Sequence, residues 1–530
     1  MAHPHESPTL AGKLNCASGA GQMSGLNRRD LIHLAIVLAI AIATRFYKLG
    51  YASLWLDEAF TIRISNYSFS TLWVTNYDPS PPLYYSLIQL LLNFGHSEYL
   101  LRLPSAIFGV LTIAVIYIAT RRIAGPLAAL SACLILSLSS FNIEYSQEAR
   151  FYALLGLCLS VSFLGLANLS QRWQSTSSGF TFREFLRCGG ALYALGLIAA
   201  LYTHNTAVFY WLGVQFFFIG WWFRPFRLAL PVLAAWFVVN FIVLLLWIPW
   251  LNASLERIAM GGFSWLPQAS ALDAMNQWRS IHGMSSVLPG QPGPDLIKLL
   301  LGVVGIYSLR RYPAMAVLLS GLLVFSSIAI WAFGFVGTPV YMHRTILWGT
   351  LFSSVVVGIG ISRFPPTIAY CFIMLVAIEG GLGVNHYFKY NVAESEDWRF
   401  AAEIFNKHQK PNDILLIREP FVHYPFFYYV DEFSPDWTIL GWDCLGERAL
   451  TGRIKYGAPI PTIKWSKSDI FGTDKPISQK EGAALWLVEA HCLSRDWDTS
   501  DATFLPNWRL RKSYDFKGGY LHHLVPAARR

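Results

Sequence analysis

Long apolar runs separated by short polar connections make up most of the first 384 residues. The first run covers about 31–49, and the others cover 101–120, 127–141, 151–169, 189–203, 206–222, 228–250, 296–309, 313–333, 343–362 and 366–384. A membrane-spanning helix needs roughly 20 apolar residues. The pattern therefore predicts a polytopic α-helical membrane protein with about eleven transmembrane helices.

The first run and the segment after it need separate interpretation. Leu31–Thr44 is short, and Ala41-Ile42-Ala43 resembles a signal-peptidase site, so a cleaved signal peptide is the alternative to a retained first helix. Arg45 and Lys48 are expected to reach toward the membrane surface from the end of that helix. Leu83–Phe94 is apolar over only about 12 residues, too few to cross a bilayer. We predict that it is a helix lying in the membrane interface.

Arginine clusters occupy every second connection between the apolar runs, and they determine the predicted topology. They are Arg28/Arg29, Arg121/Arg122, Arg172/Arg183/Arg187, Arg224/Arg227, Arg310/Arg311 and Arg363. Cytoplasmic loops carry an excess of Lys and Arg. Residues 1–30 are therefore predicted to be a cytoplasmic tail, and 31–384 the transmembrane domain. The first outer loop, 51–100, then faces outward together with residues 385–530.

Composition agrees with a membrane protein and changes how the net charge is interpreted. The chain is 54% hydrophobic and only 14% charged, whereas soluble proteins carry about 25% charged residues. The net charge of +9 comes from Lys and Arg between apolar runs, which indicates topology rather than nucleic-acid binding. The seven cysteines show no metal-ligand spacing.

Residues 385–530 are more polar and predict a small extracytoplasmic α/β domain. Ser395 is the expected cap of a helix that carries Glu396 and Asp397 in its first turn. Strands are predicted over Asp413–Ile417, Ala483–Val488 and Gly519–Val525. Two cysteines of this segment, Cys444 and Cys492, are candidates for a disulfide in an oxidising compartment.

Two adjacent acids, Asp57 and Glu58, lie in the apolar stretch Tyr51–Arg63, YASLWLDEAFTIR. Removing a carboxylate from water is costly unless a metal, a cation or hydrogen bonds compensate. The pair therefore indicates a functional site. The alternative is an interfacial loop with two solvated acids.

A second polar segment, Phe141–Tyr152, reads FNIEYSQEARFY. Glu144 and Glu148 are four residues apart and share a face if the segment is helical. Arg150 is a permanently charged side chain suited to bidentate phosphate binding. Further candidates for substrate or phosphate contacts are Asp78, His204 and Arg344. For each of them an ordinary interfacial role is the alternative.

These groups suit glycosyl transfer from a lipid phosphate. That reaction needs a carboxylate to take the proton of an acceptor hydroxyl, and a cation to stabilise the phosphate leaving group. It also needs an apolar groove for the polyprenyl chain. Asp57 is the candidate base, with possible metal contact. Glu58 would assist it or bind the acceptor.

The remaining candidate residues are expected to bind either a metal ion or the donor phosphate. Glu148 or Glu144 would complete a metal or acceptor site with Asp57, while Arg150 and Arg344 would face the phosphate. Oxygen ligands of this kind suit Mg²⁺ or Mn²⁺.

Several motifs carry a family resemblance. They are WLDEAF, SPPLYY, EYLLRLPSAIFGVLTIAVIYIATRRIAG, FNIEYSQEARFYAL and EDWRFAAEIFNKHQKPNDILLI. Together they resemble the GT-C superfamily of membrane glycosyltransferases, in the bacterial branch related to protein O-mannosyltransferases and the lipid A aminoarabinose transferase. The resemblance is strongest over about 45–170. It implies an integral-membrane, usually inverting transferase that uses polyprenyl-phosphate sugars, and by it Asp57 matches the catalytic acid of the family.

The chain departs from the family pattern at two places. Some relatives carry an Asp in the second outer loop, where this chain offers Glu144 and Glu148. The aminoarabinose enzymes have a segment similar to KPPLYY, which begins with a Lys. In this chain the corresponding segment is SPPLYY, and Ser80 occupies the position of that Lys. The residues that bind a metal or the phosphate are therefore left open.

Three function classes remain to be compared. The leading hypothesis is a transferase of the bacterial inner membrane, with a polyprenyl-phosphate-linked sugar as donor, an envelope acceptor and no nucleic-acid partner. A transporter or flippase of lipid-linked sugars would carry charges near the bilayer midplane, and the spans are almost free of them, with His33 and Glu379 as the main exceptions. A scaffold that only displays residues 385–530 gives no reason for the acids to gather on one face.

Overall fold

The computed structural model describes most of the chain in fourteen stretches. They are residues 26–74, 80–175, 181–217, 226–259, 268–282, 293–337, 339–392, 395–410, 413–418, 422–431, 438–442, 449–451, 484–490 and 508–526. The chain divides into two compact units. The first comprises the chain up to Leu49, Tyr67–Gly95 and Leu100–Tyr387, and the second comprises Gly50–Asn66, His96–Tyr99 and the chain from Phe388 onward.

Helices make up the first unit. Their bounds are Arg28–Phe46, Phe69–Val74, Leu83–Leu92, Glu98–Ala124, Pro126–Ser137, Ser140–Ser146, Tyr152–Ser175, Phe182–Phe185, Ala191–Leu201, Ala207–Val214, Phe226–Ala259, Ala271–Ile281, Gly293–Ser308, Pro313–Ser320, Ser326–Val336, Gly349–Ile361 and Pro366–His386. Short π-helical segments continue three of them, at Leu186–Gly190, Gly321–Phe325 and Tyr387–Asn391. Each of the eleven apolar runs overlaps one of these helices.

Six stretches of the described chain are helical, long and apolar enough to cross a membrane. They are Glu98–Ala124, Tyr152–Arg172, Phe182–Leu201, Leu230–Glu256, Pro313–Val336 and Pro366–Asn391. A seventh is formed if Pro126–Ser137 and Ser140–Ser146, which meet at an angle of 63°, count as one broken span. The multi-pass architecture is confirmed, and the number of about eleven spans stays a prediction.

Two helices of the first unit approach closely through glycines. A Cβ atom on Gly360 would come within 1.9 Å of the carbonyl oxygen of Leu301, and one on Gly305 within 2.0 Å of that of Val356. Small residues at helix contacts let two backbones meet inside a bilayer, where dispersion contacts replace the hydrophobic effect as the driving force. The helices Gly293–Ser308 and Gly349–Ile361 pack along this seam.

The second unit contains a six-stranded mixed sheet. Its strands are β1 (Ile414–Arg418), β2 (Thr438–Trp442), β3 (Ala449–Thr451), β4 (Leu485–Ala490), β5 (Trp508–Phe516) and β6 (Gly519–Pro526). Their order is β3-β2-β1-β4-β6-β5, with β1 parallel to β2 and β4 and the other neighbours antiparallel. Every residue of β4 is buried, as expected for a central strand covered on both faces. The three predicted strands are confirmed within two residues at each end.

The helix before β1 begins later than predicted. Asp397, not Ser395, is the N-cap: its carboxylate accepts a hydrogen bond from Phe400 N–H, and the helix runs from Trp398 to His408. The hydroxyl of Ser395 instead donates to Val392 O. Trp398, Ala401 and Phe405 lie on one face of this helix and are buried in a core that they share with β4. Cys444 and Cys492 lie outside the described residues.

Candidate active site

The two adjacent acids of the first loop lie in different environments. The helix Leu56–Ser65 begins directly after Trp55, and Glu58 folds back so that its Oε2 accepts a hydrogen bond from Trp55 N–H at 3.3 Å. Glu58 is fully buried, whereas Asp57 is partly exposed. Successive helical side chains point about 100° apart, which separates the two carboxylates. Glu58 therefore stabilises the helix start, and Asp57 is the more accessible acid.

The loop that carries these acids is fastened to the rest of the second unit. Leu54 N–H donates to the hydroxyl of Tyr429 at 2.8 Å, and the hydroxyl of Ser53 donates to Glu396 O at 3.0 Å. The rings of Phe60 and Tyr424 meet edge to face at 5.3 Å. These contacts are therefore made by residues that precede Asp57 in the sequence and by one that follows it.

A hydrogen-bonded chain continues from Tyr429. Burial raises the pKa of its phenol, so the hydroxyl stays protonated and donates to Glu98 Oε1 at 2.9 Å. The same carboxylate oxygen accepts a hydrogen bond from Arg399 at 2.5 Å. Leu54, Tyr429, Glu98 and Arg399 therefore form one polar connection under the first loop.

In the first unit, the segment around Glu144 is only partly helical. The helix Ser140–Ser146 starts at Ser139, whose hydroxyl accepts from Asn142 N–H, and it ends at Gln147. Glu148 lies beyond the end of the helix, so the expectation that Glu144 and Glu148 share one helical face is wrong. Gln147 explains the end of the helix, since its side-chain amide donates to Arg45 O at 3.0 Å and Tyr47 O at 2.8 Å.

Arg150 and His204 both contact the ring of Phe151. The guanidinium carbon of Arg150 is 4.4 Å from the centroid of the Phe151 ring, and the ring of His204 is 4.7 Å from that centroid. Arg150 is buried, and its carbonyl oxygen accepts a hydrogen bond from Ser105 at 3.2 Å.

Three of the predicted phosphate-contact residues come together around His204. Burial, together with the positive charges of Arg150 and Arg344, lowers the pKa of His204 to about 3. The imidazole is therefore neutral near pH 7. Its Nδ1 accepts from Thr206 N–H at 3.2 Å, which leaves the proton on Nε2 as a hydrogen-bond donor.

A small cavity of about 30 Å³ is lined by Arg344 and by Arg45, a residue that the sequence analysis did not connect with phosphate binding. Asn142, Tyr145 and Tyr152 also line it. Such a volume holds about one or two water molecules. Two cationic side chains at one cavity favour an anion.

Arg45 does not reach toward the membrane surface, contrary to expectation. It is 1% exposed, and its guanidinium donates to Leu136 O at 3.2 Å and Ser137 O at 3.4 Å. These are the last carbonyls of the helix Pro126–Ser137, which have no partner within the helix. No signal in the sequence indicates this role, because an Arg at the end of an apolar run is also typical of an interfacial anchor.

Comparisons with known proteins connect this arrangement to a fold. A scan against protein-family models finds no match, and a search of curated protein sequences finds none either. Among solved structures, the chain is similar to apo ArnT from Cupriavidus metallidurans, at 13% identity and a TM-score of 0.60 over 96% of this chain and 98% of that one. ArnT of the same organism bound to undecaprenyl phosphate gives 14% identity and a TM-score of 0.57 over the same shares. The chain therefore shares the fold of ArnT.

This likeness in fold confirms the fold that the motif resemblance implied. Asp57 and Glu58 belong to the second unit. The other candidates with described positions, Glu144, Glu148, Arg150, His204 and Arg344, belong to the first unit. Asp78 lies outside the described residues.

In the described stretches, no group of three or more His, Cys, Asp or Glu side chains is placed to hold a metal ion. Asp57 belongs to the second unit, and Glu144 and Glu148 belong to the first. A Mg²⁺ or Mn²⁺ held by these three acids therefore stays a prediction from the sequence.

Proposed function

We propose that the protein is an integral-membrane glycosyltransferase that moves a sugar from a polyprenyl-phosphate donor to a glycan, lipid or protein acceptor of the cell envelope. The observation that carries this proposal is the likeness in fold to ArnT over nearly the whole of both chains. One of the ArnT structures is bound to undecaprenyl phosphate, a lipid of the donor class.

In the proposed reaction, an acceptor hydroxyl oxygen attacks the anomeric carbon of the donor sugar. The bond from that carbon to the phosphate oxygen breaks, its electron pair leaves with the polyprenyl phosphate, and the acceptor proton passes to a carboxylate. Asp57 is the proposed base. Its partial exposure supports this role, whereas Glu58 is buried and bonded to the backbone of Trp55.

Cationic residues of the first unit are proposed to bind the phosphate. Arg344 and Arg45 line one cavity, and the charges of Arg150 and Arg344 both act on His204. Neutral His204 would donate its Nε2 proton to a phosphate or sugar oxygen. Asp78 remains a candidate from the sequence alone.

The same proposal places the protein in the bacterial inner membrane. The arginine clusters support a cytoplasmic N-terminus and a periplasmic segment from 385 to 530. Donor, acceptor and surrounding lipids would then meet on the outer face of the membrane.

The test is sugar transfer by purified wild type and Asp57→Asn in detergent, with a panel of radiolabelled polyprenyl-phosphate sugars and an envelope extract as acceptor source. Asp431→Asn is the matched control, because Asp431 is an exposed acid of the same unit. We expect wild type and Asp431→Asn to turn over one donor, and folded Asp57→Asn to lose at least about 100-fold, the usual contribution of general-base catalysis. Equal turnover by all three proteins would refute the role of Asp57.

The same experiment also tests whether the activity requires a metal ion. Each assay is repeated after chelator treatment and again with added Mg²⁺ or Mn²⁺. Activity that is lost with the chelator and restored by the ion would show that a metal is needed, and the Glu144→Gln and Glu148→Gln variants would then identify its ligands by a raised metal requirement.

The alternative is a transporter or flippase of lipid-linked sugars. It is favoured by one observation, an ion pair between Lys298 and Glu379 on two apolar helices. Movement of a fluorescent polyprenyl-phosphate sugar across proteoliposome membranes, with no transfer of the sugar to any acceptor, would support this alternative.

A further inference from the structure

A second cavity of about 430 Å³ lies in the first unit, apart from the cations described above. One wall is the start of the helix Gly349–Ile361, and another is the end of the helix Pro366–His386. Along the latter helix the lining extends from His386 back to Val376, roughly 15 Å at 1.5 Å per residue. The volume is in the range of sites for small molecules, about 300–1,000 Å³.

The cavity contains an ion pair in a part of the chain where charges are rare. Lys298 Nζ lies 2.6 Å from Glu379 Oε1, and the two side chains are 13% and 15% exposed. Both residues belong to apolar helices, Gly293–Ser308 and Pro366–His386. Ionisable residues within membrane helices are costly to keep and usually mark a functional pathway or site.

A histidine at the wall has an unsatisfied ring nitrogen. His282 is 6% exposed, its ring packs 4.4 Å from that of Trp278, and burial lowers its pKa to about 3. In the described part of the chain, Nδ1 of His282 has no hydrogen-bond partner. A buried nitrogen without a partner costs free energy, which a polar ligand would recover.

Hydroxyl groups of the helix Gly349–Ile361 supply acceptors in the lining. Thr350 donates to Leu347 O at 2.7 Å, and Ser353 and Ser354 donate to Thr350 O at 3.1 and 2.7 Å. Because these protons are engaged within the helix, the oxygens of Ser353 and Ser354 present their lone pairs as acceptors, whereas the Thr350 oxygen already accepts from Asn142 Nδ2 at 3.0 Å. A ligand with several O–H donors fits such a wall.

Charge decides between the ligand classes. The charges of Lys298 and Glu379 offset each other, and the other ionisable side chains of the lining are His282 and His386. A phosphate group would be attracted to Lys298 and repelled by Glu379, only 2.6 Å away, so this pair gives an anion no net advantage. An uncharged saccharide would donate to the hydroxyl oxygens and to Glu379 and accept from Lys298.

The surroundings indicate a ligand that arrives from the lipid. On the helix that carries Glu379, the neighbouring side chains Leu375, Ile378 and Leu382 are exposed apolar groups. The cavity therefore lies at the rim of the first unit, beneath a helix with a lipid-compatible face.

We propose that this cavity, lined by Lys298, Glu379, His282 and the Thr350–Ser354 hydroxyls, is a binding site for an uncharged saccharide, either free or as the head of a lipid. The site would hold a sugar whether or not the protein transfers one. It does not depend on Asp57.

The test uses full-length protein purified in an amine-oxide detergent, so that no glycoside is present beforehand. Binding of octyl β-glucoside, glucose and octyl phosphate is measured below their aggregation concentrations by native mass spectrometry and by thermal shift. We expect saturable binding of octyl β-glucoside and weaker binding of octyl phosphate. If glucose binds as well as the glucoside, the site recognises a free sugar; if only the glucoside binds, it recognises a lipid head.

Two variants connect the binding to this cavity. Ser354→Ala is expected to weaken glucoside binding about tenfold or more, the effect of one lost hydrogen bond of about 1.4 kcal/mol. The matched control is Ser320→Ala, which removes a serine hydroxyl with the same bonding to its own helix, to Ala316 O, but outside the lining of the cavity. Glu379→Gln leaves Lys298 without its counter-charge and should reverse the preference toward octyl phosphate.

Three results would overturn the proposal. They are tighter binding of octyl phosphate than of octyl β-glucoside to the wild type, equal glucoside binding by Ser354→Ala and Ser320→Ala, and no saturable binding of either sugar. Asp57→Asn is expected to bind the glucoside as the wild type does. Failure of the proposed transferase activity and failure of this site are therefore distinguishable.

Discussion

The backbone N–H of Leu54 donates a 2.8 Å hydrogen bond to the hydroxyl of Tyr429, 375 positions later in the chain. Leu54 is three residues before Asp57, and the helix that carries Asp57 starts directly after Trp55. Since the Tyr429 hydroxyl also donates a hydrogen bond to Glu98, one phenol links the start of the candidate catalytic helix to a half-buried carboxylate. Tyr429 is therefore a positioning residue under the proposed function.

Removal of the hydroxyl in Tyr429→Phe should reduce kcat about tenfold and leave KM for the donor nearly unchanged. The reason is that Leu54 N–H loses its acceptor, so the helix start holds Asp57 less firmly, while no substrate contact is removed. Steady-state kinetics measures both constants. Tyr514→Phe, a phenol of β5 in the same unit, is the control and should match the wild type. A rise in KM with kcat unchanged would contradict the positioning role.

Glu98 should contribute more than Arg399 to the stability of the second unit. Glu98 accepts from both Tyr429 and Arg399, whereas the Arg399 side chain is 46% exposed and its ion pair is screened by solvent. We expect Arg399→Ala to lower the free energy of unfolding by less than about 1 kcal/mol and Glu98→Ala by about 2 kcal/mol. Thermal unfolding of both variants and of the double variant measures the coupling. Equal losses from the two single variants would count against this account.

Replacement of Arg45 should destabilise the first unit. In Arg45→Met, the carbonyls of Leu136 and Ser137 each lose one hydrogen bond from the guanidinium and keep only those from Ser139 N–H at 3.4 Å and the Thr44 hydroxyl at 3.2 Å. The expected loss is about 2 kcal/mol, and Arg45→Lys should recover part of it by keeping one donor. Intrinsic tryptophan fluorescence during heating measures the change. A Met variant as stable as the wild type would show that water replaces the guanidinium at these carbonyls.

His282 should make the protein less stable in acid. Burial lowers its pKa to about 3, below the ordinary value near 6.5, so between these values the unfolded chain binds a proton that the folded chain does not. Above about pH 6.5 the protonation of His282 does not lower the free energy of unfolding. As the pH drops from 6.5 toward 3, proton binding by the unfolded chain lowers it progressively. At pH 5 the loss is about 2 kcal/mol, at 1.36 kcal/mol per pH unit.

The measurement is the fall in Tm between pH 7.5 and pH 5 for the wild type and for His282→Asn, which cannot titrate. We expect a smaller fall in the variant. His408→Asn, at an exposed histidine of the second unit, is the control and should keep the wild-type fall. If the His282 variant loses as much stability in acid as the wild type, another group is responsible.

Much of the architecture follows from local patterns in the sequence. Helices overlap all eleven apolar runs, and the interfacial segment forms a helix over Leu83–Leu92. Strands β1, β4 and β6 occur where alternation and apolar runs predict them. Run length and periodicity suffice here because they depend only on residues within a few turns of each other.

The local details of capping were less predictable. Ser395 and Asp397 are both good N-cap residues, and only the bond from Phe400 N–H to Asp397 decides between them. Glu144 and Glu148 have helical spacing, but the helix ends at Ser146, where Gln147 turns to the carbonyls of Arg45 and Tyr47. A competing tertiary hydrogen bond therefore overrode the local pattern.

The sequence by itself determined the membrane class, the positions of most helices and strands, and the choice of Asp57 as the leading candidate acid. Only the tertiary structure decided that Glu58 is buried, that Arg45 caps a distant helix, and that Lys298 pairs with Glu379. The physical reason is the range of the interactions. An apolar run depends only on consecutive residues, so it can be recognised in the sequence. The partner of a charged or polar group depends on packing between segments that can be hundreds of residues apart.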